Sequence, residues 1–274
     1  MKVWLVAIAA TVAVAATQPA LAGPVLDRVK QRGVLRVATD PAYPPQSMQK
    51  PDGSFEGFDI DVASEIANRL GVRVEFVTPA WEIITSGRWG DRWDISVGSM
   101  TPTRERAEVL DFPAIYYYTP AAFAVHESCP YQNLEELDGK VIGTCGACTY
   151  EFYLRHDLKI DAEGVPPFTY RVTPGEIRTY ETDTNVFDDL RLGCGTRLDA
   201  GISALPTIRE AIKAGYPMRI VGDPVFYEPL AVAIDKGDPE FAAEIARIVE
   251  ALREEGTLSK LSLKWYGVDL TRVP

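Results

Sequence analysis

Gly98-Ser99-Met100-Thr101-Pro102-Thr103-Arg104-Glu105-Arg106 follows the apolar-rich run Trp93-Asp94-Ile95-Ser96-Val97. The run reads as a buried strand. Thr103, placed before Glu105, Arg106 and Ala107, reads as the N-cap of a short helix. A strand that ends in Gly98 and hydroxyl residues and then turns into a helix leaves backbone N–H groups free at the turn. Those donors, the helix dipole and the Arg106 guanidinium together favour a bound anion. Arg106 can hold a carboxylate through two parallel hydrogen bonds. The alternative for Arg106 is a surface ion pair with Glu105 or Glu108.

Upstream, residues 26–33 predict a short helix stopped by Gly33, and 34–39 a strand leading into the proline-stiffened loop Asp40-Pro41-Ala42-Tyr43-Pro44-Pro45. Tyr43 on that loop is a plausible ligand wall or a loop packing residue. Val62, Ile66 and Leu70 recur at four-residue spacing before Gly71, the mark of an amphipathic helix. Residues 72–77 alternate as a strand, and Trp81 opens another helical segment. The repeated strand–helix order predicts an α/β domain with a largely parallel sheet. Ligands of such sheets sit beyond the carboxyl ends of the strands, where Tyr43, Trp81 and residues 99–106 can converge.

Residues 112–120 break this pattern, and 121–125 begin a new strand, which reads as a crossing into a second domain. There, residues 141–144 predict a strand, 149–154 a helix, 170–172 a strand, 184–192 a helix, 198–202 a strand, 205–214 a helix and 218–221 a strand. Residues 230–237 return as a strand, followed by helices over 239–255 and 258–266. Two α/β lobes joined by crossing segments set two rows of strand ends face to face, and such clefts are common ligand sites.

Met1-Lys2, the apolar stretch 3–16 and Ala20-Leu21-Ala22 together predict an export signal cleaved after Ala22. Loss of Lys2 takes the formal net charge from −11 to −12. An acidic chain without basic blocks argues against binding nucleic acid or anionic lipid. Cys129, Cys145, Cys148 and Cys194 are an even set for an oxidising compartment, so structural disulfides are expected, with three connectivities open. Cys145-Gly146-Ala147-Cys148 also has the spacing of a redox or zinc motif. No metal site and no cofactor are expected.

Taken in order, several segments resemble the periplasmic solute-binding proteins of amino-acid-type ABC transporters, the bacterial extracellular family 3. They are Gly33 through Asp40, Tyr43-Pro44-Pro45, Gly57-Phe58-Asp59-Ile60-Asp61-Val62-Ala63, Asp94 with residues 99–106, and Leu137-Asp138-Gly139-Lys140-Val141-Ile142-Gly143. Leu198-Asp199-Ala200, Lys236-Gly237-Asp238 and the closing stretch from Gly256 to Gly267 complete the set.

The resemblance implies an α/β, two-lobe periplasmic binding protein (type II) fold. Each lobe is then a mostly parallel sheet flanked by helices, and two hinge strands join them. Lobe 1 is expected over 23–118 and 229–274 and lobe 2 over 119–228, with hinges at 117–122 and 225–230. It implies a periplasmic receptor, monomeric and non-enzymatic, that delivers a small carboxylate-bearing solute to a membrane permease and its ATPase. Tyr43 and Trp81 match its aromatic walls. Gly98, Ser99 and Thr101 match lobe 1 binding positions, Arg106 the carboxylate-binding Arg, and Thr149 a lobe 2 hydroxyl. Ala147-Cys148 departs from the usual Gly-Thr before that hydroxyl.

Similar amino-acid binders carry an ammonium-binding Asp where this chain has Ala204. A buried ammonium without its carboxylate costs roughly 2–5 kcal/mol. Glu228 and Asp40 are the acids expected to substitute. Two other classes remain open. One is an enzyme on the same scaffold, similar to cyclohexadienyl dehydratases, for which Ala204-Leu205-Pro206 offers no acid. The other is a redox or sensing module built on Cys145 and Cys148.

Overall fold

Short apolar strands that alternate with amphipathic helices need a sheet covered on both faces. The computed structural model describes residues 24–162 and 165–272, so the expected leader and its cleavage point lie outside the described residues. Helix α1 (Pro24–Arg32) buries Leu26 and Val29 and leads through Gly33 into β1 (Val34–Ala38). A small antiparallel sheet of β2 (Ala42–Tyr43), β3 (Ser47–Gln49) and β4 (Phe55–Glu56) follows. It is pressed against the start of α2 (Phe58–Leu70). Only glycine fits at Gly57, because a Cβ there would stand 2.2 Å from the Gln46 carbonyl oxygen, and its φ is +138°.

Next come β5 (Arg73–Val77), α3 (Trp81–Thr85), β6 (Ile95–Met100) and the 17-residue β7 (Leu110–His126). Then follow β8 (Val141–Cys145), α4 (Thr149–Leu154), β9 (Glu176–Tyr180), α5 (Asp183–Leu190), β10 (Ala200–Ala204) and α6 (Leu205–Lys213). The 18-residue β11 (Met218–Asp235), α7 (Pro239–Glu254) and α8 (Thr257–Tyr266) complete the chain.

The eight-stranded sheet has the order β5-β1-β6-β11-β7-β10-β8-β9. Each end is a parallel trio, β5-β1-β6 and β10-β8-β9, and the antiparallel pair β7–β11 runs between them. One core gathers Leu35, Phe58, Ile66, Val97, Tyr117 and Phe241. A separate core gathers Phe123, Ile142, Tyr153, Ile202 and Phe226. The change from one to the other falls between Tyr117 and Ala121 on β7 and between Phe226 and Leu230 on β11.

Several expected elements differ. The strand expected over 93–97 is β6 at Ile95–Met100, so Gly98 and Ser99 belong to the strand and not to a turn after it. The helix expected after Thr103 is a single 3-10 turn over Arg106–Glu108, cut short because β7 begins at Leu110. The N-cap of that turn is Glu105 rather than Thr103, which stands two residues earlier, although Thr103 Oγ1 accepts from the Arg106 N–H at 3.2 Å. No strand forms over 170–172, because side chains satisfy that backbone instead: Tyr153 OH donates to the Thr169 carbonyl and accepts from the Arg171 N–H. The edge strand is β9, whose polar sequence Glu-Ile-Arg-Thr-Tyr hides it. The strand expected over 198–202 sits two residues later, at Ala200–Ala204.

Candidate functional site

The two parallel trios point the carboxyl ends of their strands at one another, and a cavity of about 40 Å³ lies between them. On the first side, Asp40 follows β1, and its Oδ1 accepts from the Ala42 N–H at 2.7 Å, shaping the loop that presents Tyr43. Trp81 opens α3, and Gly98 and Ser99 line the wall from β6. On the opposite side, Thr149 and Tyr150 begin α4, and Asp183 begins α5. Glu228 enters from β11, where it pairs with Thr119 of β7. Among the ten residues expected at the site, Ala204 alone is not brought to this cavity. It is fully buried at the end of β10, paired with Ala121.

The anion site expected at residues 99–106 takes a different form. Ser99 holds a φ of +57°, and its N–H is taken by Tyr116 OH at 2.9 Å. Its hydroxyl bonds Asp59 Oδ2 at 2.6 Å and also meets Tyr117 OH, so it turns toward the core. A three-residue 3-10 turn supplies no helix dipole to speak of. What remains is Arg106.

Its side chain is buried, donating from Nη1 to the Thr101 carbonyl at 3.0 Å and from Nη2 across the cleft to the Ala147 carbonyl at 2.8 Å. Its Nε has no partner. The guanidinium lies 5.3 Å from the centre of the Trp81 ring, within cation–π range. Burial lowers its pKa to about 10, with Glu228 opposing, so it stays charged at neutral pH. Neither Glu105 nor Glu108 is its partner.

Glu228 occupies the centre of the hydroxyl network. Thr101 Oγ1 donates to Oε1 at 3.0 Å, Thr149 Oγ1 donates to the same oxygen, and Tyr150 OH donates to Oε2 at 2.6 Å. Tyr43 OH lies 3.2 Å from Tyr150 OH. Burial raises the Glu228 pKa, while the three hydroxyls and Arg106 oppose the rise. Burial also raises Asp40 to about 6, against its bond to Ala42, and Asp183 to about 7, against Ser203. Neighbouring acids add to both rises: Glu181 acts on Asp40, and Asp40 and Glu228 act on Asp183. Among the described residues the lining thus holds four carboxyl groups, those of Asp40, Glu181, Asp183 and Glu228, against the guanidinium of Arg106.

Both disulfides form, as Cys129–Cys194 and Cys145–Cys148, and the second lines the cavity. It brackets Ala147, whose φ is +56° and whose carbonyl accepts both from Arg106 and from Trp81 Nε1 at 3.2 Å. Further bonds tie the two sides together. Gln46 Nε2 donates to Thr207 Oγ1 at 3.1 Å, Thr184 Oγ1 donates to the Ala42 carbonyl at 2.9 Å, and the Arg104 N–H donates to the Lys159 carbonyl at 3.0 Å. The conformation is closed. Among the described residues no group of His, Cys, Asp and Glu has the arrangement of a metal site.

The pattern of the bacterial extracellular solute-binding proteins, family 3, matches residues 35–268. The chain belongs to that family. The L-cystine-binding protein TcyJ of Escherichia coli (strain K12) is 28% identical to this solute-binding protein over 250 residues, covering 90% of this chain and 88% of the relative. The L-arginine-binding protein of Pseudomonas aeruginosa is 27% identical, covering 86% and 89%. Among solved structures, the ancestral amino acid-binding protein AncCDT-1, a precursor of cyclohexadienyl dehydratase, aligns with a TM-score of 0.74 at 30% identity, covering 88% of this chain and 98% of that one. The two-lobe type II fold and the role of solute-binding component of an amino-acid-type ABC transporter follow from these likenesses.

Tyr150, Glu181, Asp183 and the Cys145–Cys148 bridge line the cavity of this solute-binding protein but were not among the expected site residues. Tyr150 is next to Thr149 and could have been read with it. Asp183 looks like an ordinary acid in the first turn of a helix, which the dipole alone explains.

Proposed function

We propose that this protein is a periplasmic receptor, exported by a leader cleaved after Ala22, that closes on a small carboxylate-bearing, amino-acid-like solute and presents it to an ABC permease and its ATPase. It acts as a monomer without chemistry. Lobe 1 comprises 23–118 and 229–274 and lobe 2 comprises 119–228, hinged where β7 and β11 cross. The observation that carries this reading is Arg106: a buried, charged guanidinium on the cavity wall, packed on Trp81, with its Nε lacking a partner. An incoming carboxylate satisfies that donor, and closure through Ala147 shuts water out of the ion pair.

Thermal shift of the purified mature protein tests it, with α-amino acids, their des-amino analogues and dicarboxylates. A ligand at about a hundred times its Kd adds roughly 2.7 kcal/mol of stability, which a melting shift reads easily. The expected outcome is a shift with at least one acid, lost in Arg106→Ala. The absence of a shift with any acid overturns the carboxylate assignment.

A dehydratase on the same scaffold is the second reading. It is favoured by Asp183, an acid in the cleft that the residues around Ala204 did not suggest. Incubating the same protein with prephenate or arogenate is expected to give no product, and product formation reverses the order of the two readings.

A further inference from the structure

Asp183 is 5% exposed and lines the cavity, and its Oδ1 has no hydrogen-bond partner. The Ser203 hydroxyl lies close enough to lower the Asp183 pKa but makes no hydrogen bond of good geometry to it. An acid buried in this way is expensive to ionise unless an opposite charge joins it. Among the described residues the cationic one lining the cavity is Arg106, whose charge is shared with Glu228. Asp40, from the opposite side, and Glu228 add to the negative field there. Ala204, at the strand end expected to carry an acid, is buried and not part of the cavity lining. The Thr184 hydroxyl beside Asp183 bonds the Ala42 carbonyl of the opposite lobe, so the N-terminus of α5 comes into place as the cleft closes.

We infer that Asp183 is the carboxylate that receives the solute's ammonium group, from the start of α5 rather than from the end of β10. The solute class is then an acid that also carries an amine, with the carboxylate at Arg106 and the amine at Asp183. This rests on reading the cavity as the solute site. Asp40 supports the same charge from the other lobe, tied in place by the Ala42 N–H.

Isothermal titration of the full mature protein tests the assignment. The panel is the common L-amino acids and L-cystine, each beside its des-amino analogue, with small dicarboxylates as amine-free acids. The wild type is expected to bind at least one amino acid roughly 30-fold or more tighter than its des-amino analogue. Asp183→Asn, equal in size, is expected to weaken the amino acid by a similar factor and leave the analogue unchanged, so the preference disappears. The comparison on the wild type needs no variant and stands if Asp183→Asn fails to fold. Equal binding of amino acid and analogue by the wild type overturns the inference and leaves the carboxylate reading intact, as does a folded Asp183→Asn with wild-type affinity. A wild type that binds no member of the panel overturns the cavity reading itself, and this inference with it.

Discussion

Glu228 places a protein carboxylate among the hydroxyls of Thr101, Thr149 and Tyr150, within the field of the Arg106 guanidinium. It partly neutralises Arg106 before any solute arrives and repels a second anion beside it. Glu228→Gln keeps an oxygen for Thr101 and Thr149 and an amide that can donate to Tyr150, so the fold is expected to survive. Removing the charge is expected to tighten binding of amine-free dicarboxylates by roughly tenfold, about 1.4 kcal/mol, and to loosen cationic solutes by a comparable factor. Competition titrations on the variant read both effects, and an unchanged preference places the solute's carboxylate away from Glu228. Glu228 and Arg106 were legible in the sequence because a charged residue at a crossing or strand end has few structural duties. Asp183 was not, because its position at the start of a helix already accounts for an acid.

At the scale of elements, the two disulfides have different work. Cys129–Cys194 closes a long loop, 65 residues apart in sequence, and ties the segment after β7 to the segment before β10. Chain entropy alone makes such a crosslink worth about 4 kcal/mol. Cys145–Cys148 spans three residues, a loop worth about 2 kcal/mol, and holds the Ala147 carbonyl that Arg106 and Trp81 both reach across the cleft. Replacing Cys129 and Cys194 with Ser is therefore expected to lower the melting temperature and leave Kd nearly unchanged. Replacing Cys145 and Cys148 is expected to lower it less and raise Kd about tenfold, through loss of the closing bonds. Melting curves and titrations on both double variants separate the roles, and equal effects on Kd refute the distinction. The helices α1, α2, α6, α7 and α8 were readable from apolar spacing and Gly stops. The long strands β7 and β11 read as three shorter ones, with 112–120 taken as a break, because prolines interrupt them. Pro120 and Pro229 sit inside the paired region, and the register shifts near Val221 and Leu230 accommodate what proline normally forbids in a central strand.

For the whole molecule, buried acids couple stability to pH in an unusual direction. Asp59, behind the cavity, is raised to about 7 by burial, against its bonds from Ser99 and Tyr116, and Asp40 adds to the rise. Asp183 is also raised to about 7 and Asp40 to about 6. A group whose folded pKa lies above its unfolded value contributes stability that is complete below the unfolded pKa. That contribution is lost as pH rises through the folded pKa. For these three acids the folded chain holds protons that the unfolded chain has released, so they make the unliganded protein less stable as pH climbs from about 4 toward 7. Glu181, Glu228 and Arg106 face the same cavity, and the two acids among them deepen the trend. An amine-bearing solute reverses it, because the ionised Asp183 and Asp40 are the forms that attract it. The melting temperature without ligand is therefore expected to fall between pH 5 and 8 while the shift caused by the solute grows. Asp59→Asn separates the two contributions, since Asp59 does not line the cavity. The variant should flatten the unliganded profile and keep the pH dependence of the ligand shift. Loss of both in Asp59→Asn would place the ligand's proton linkage at the core acid, whereas loss of neither would remove Asp59 as a source of the pH dependence.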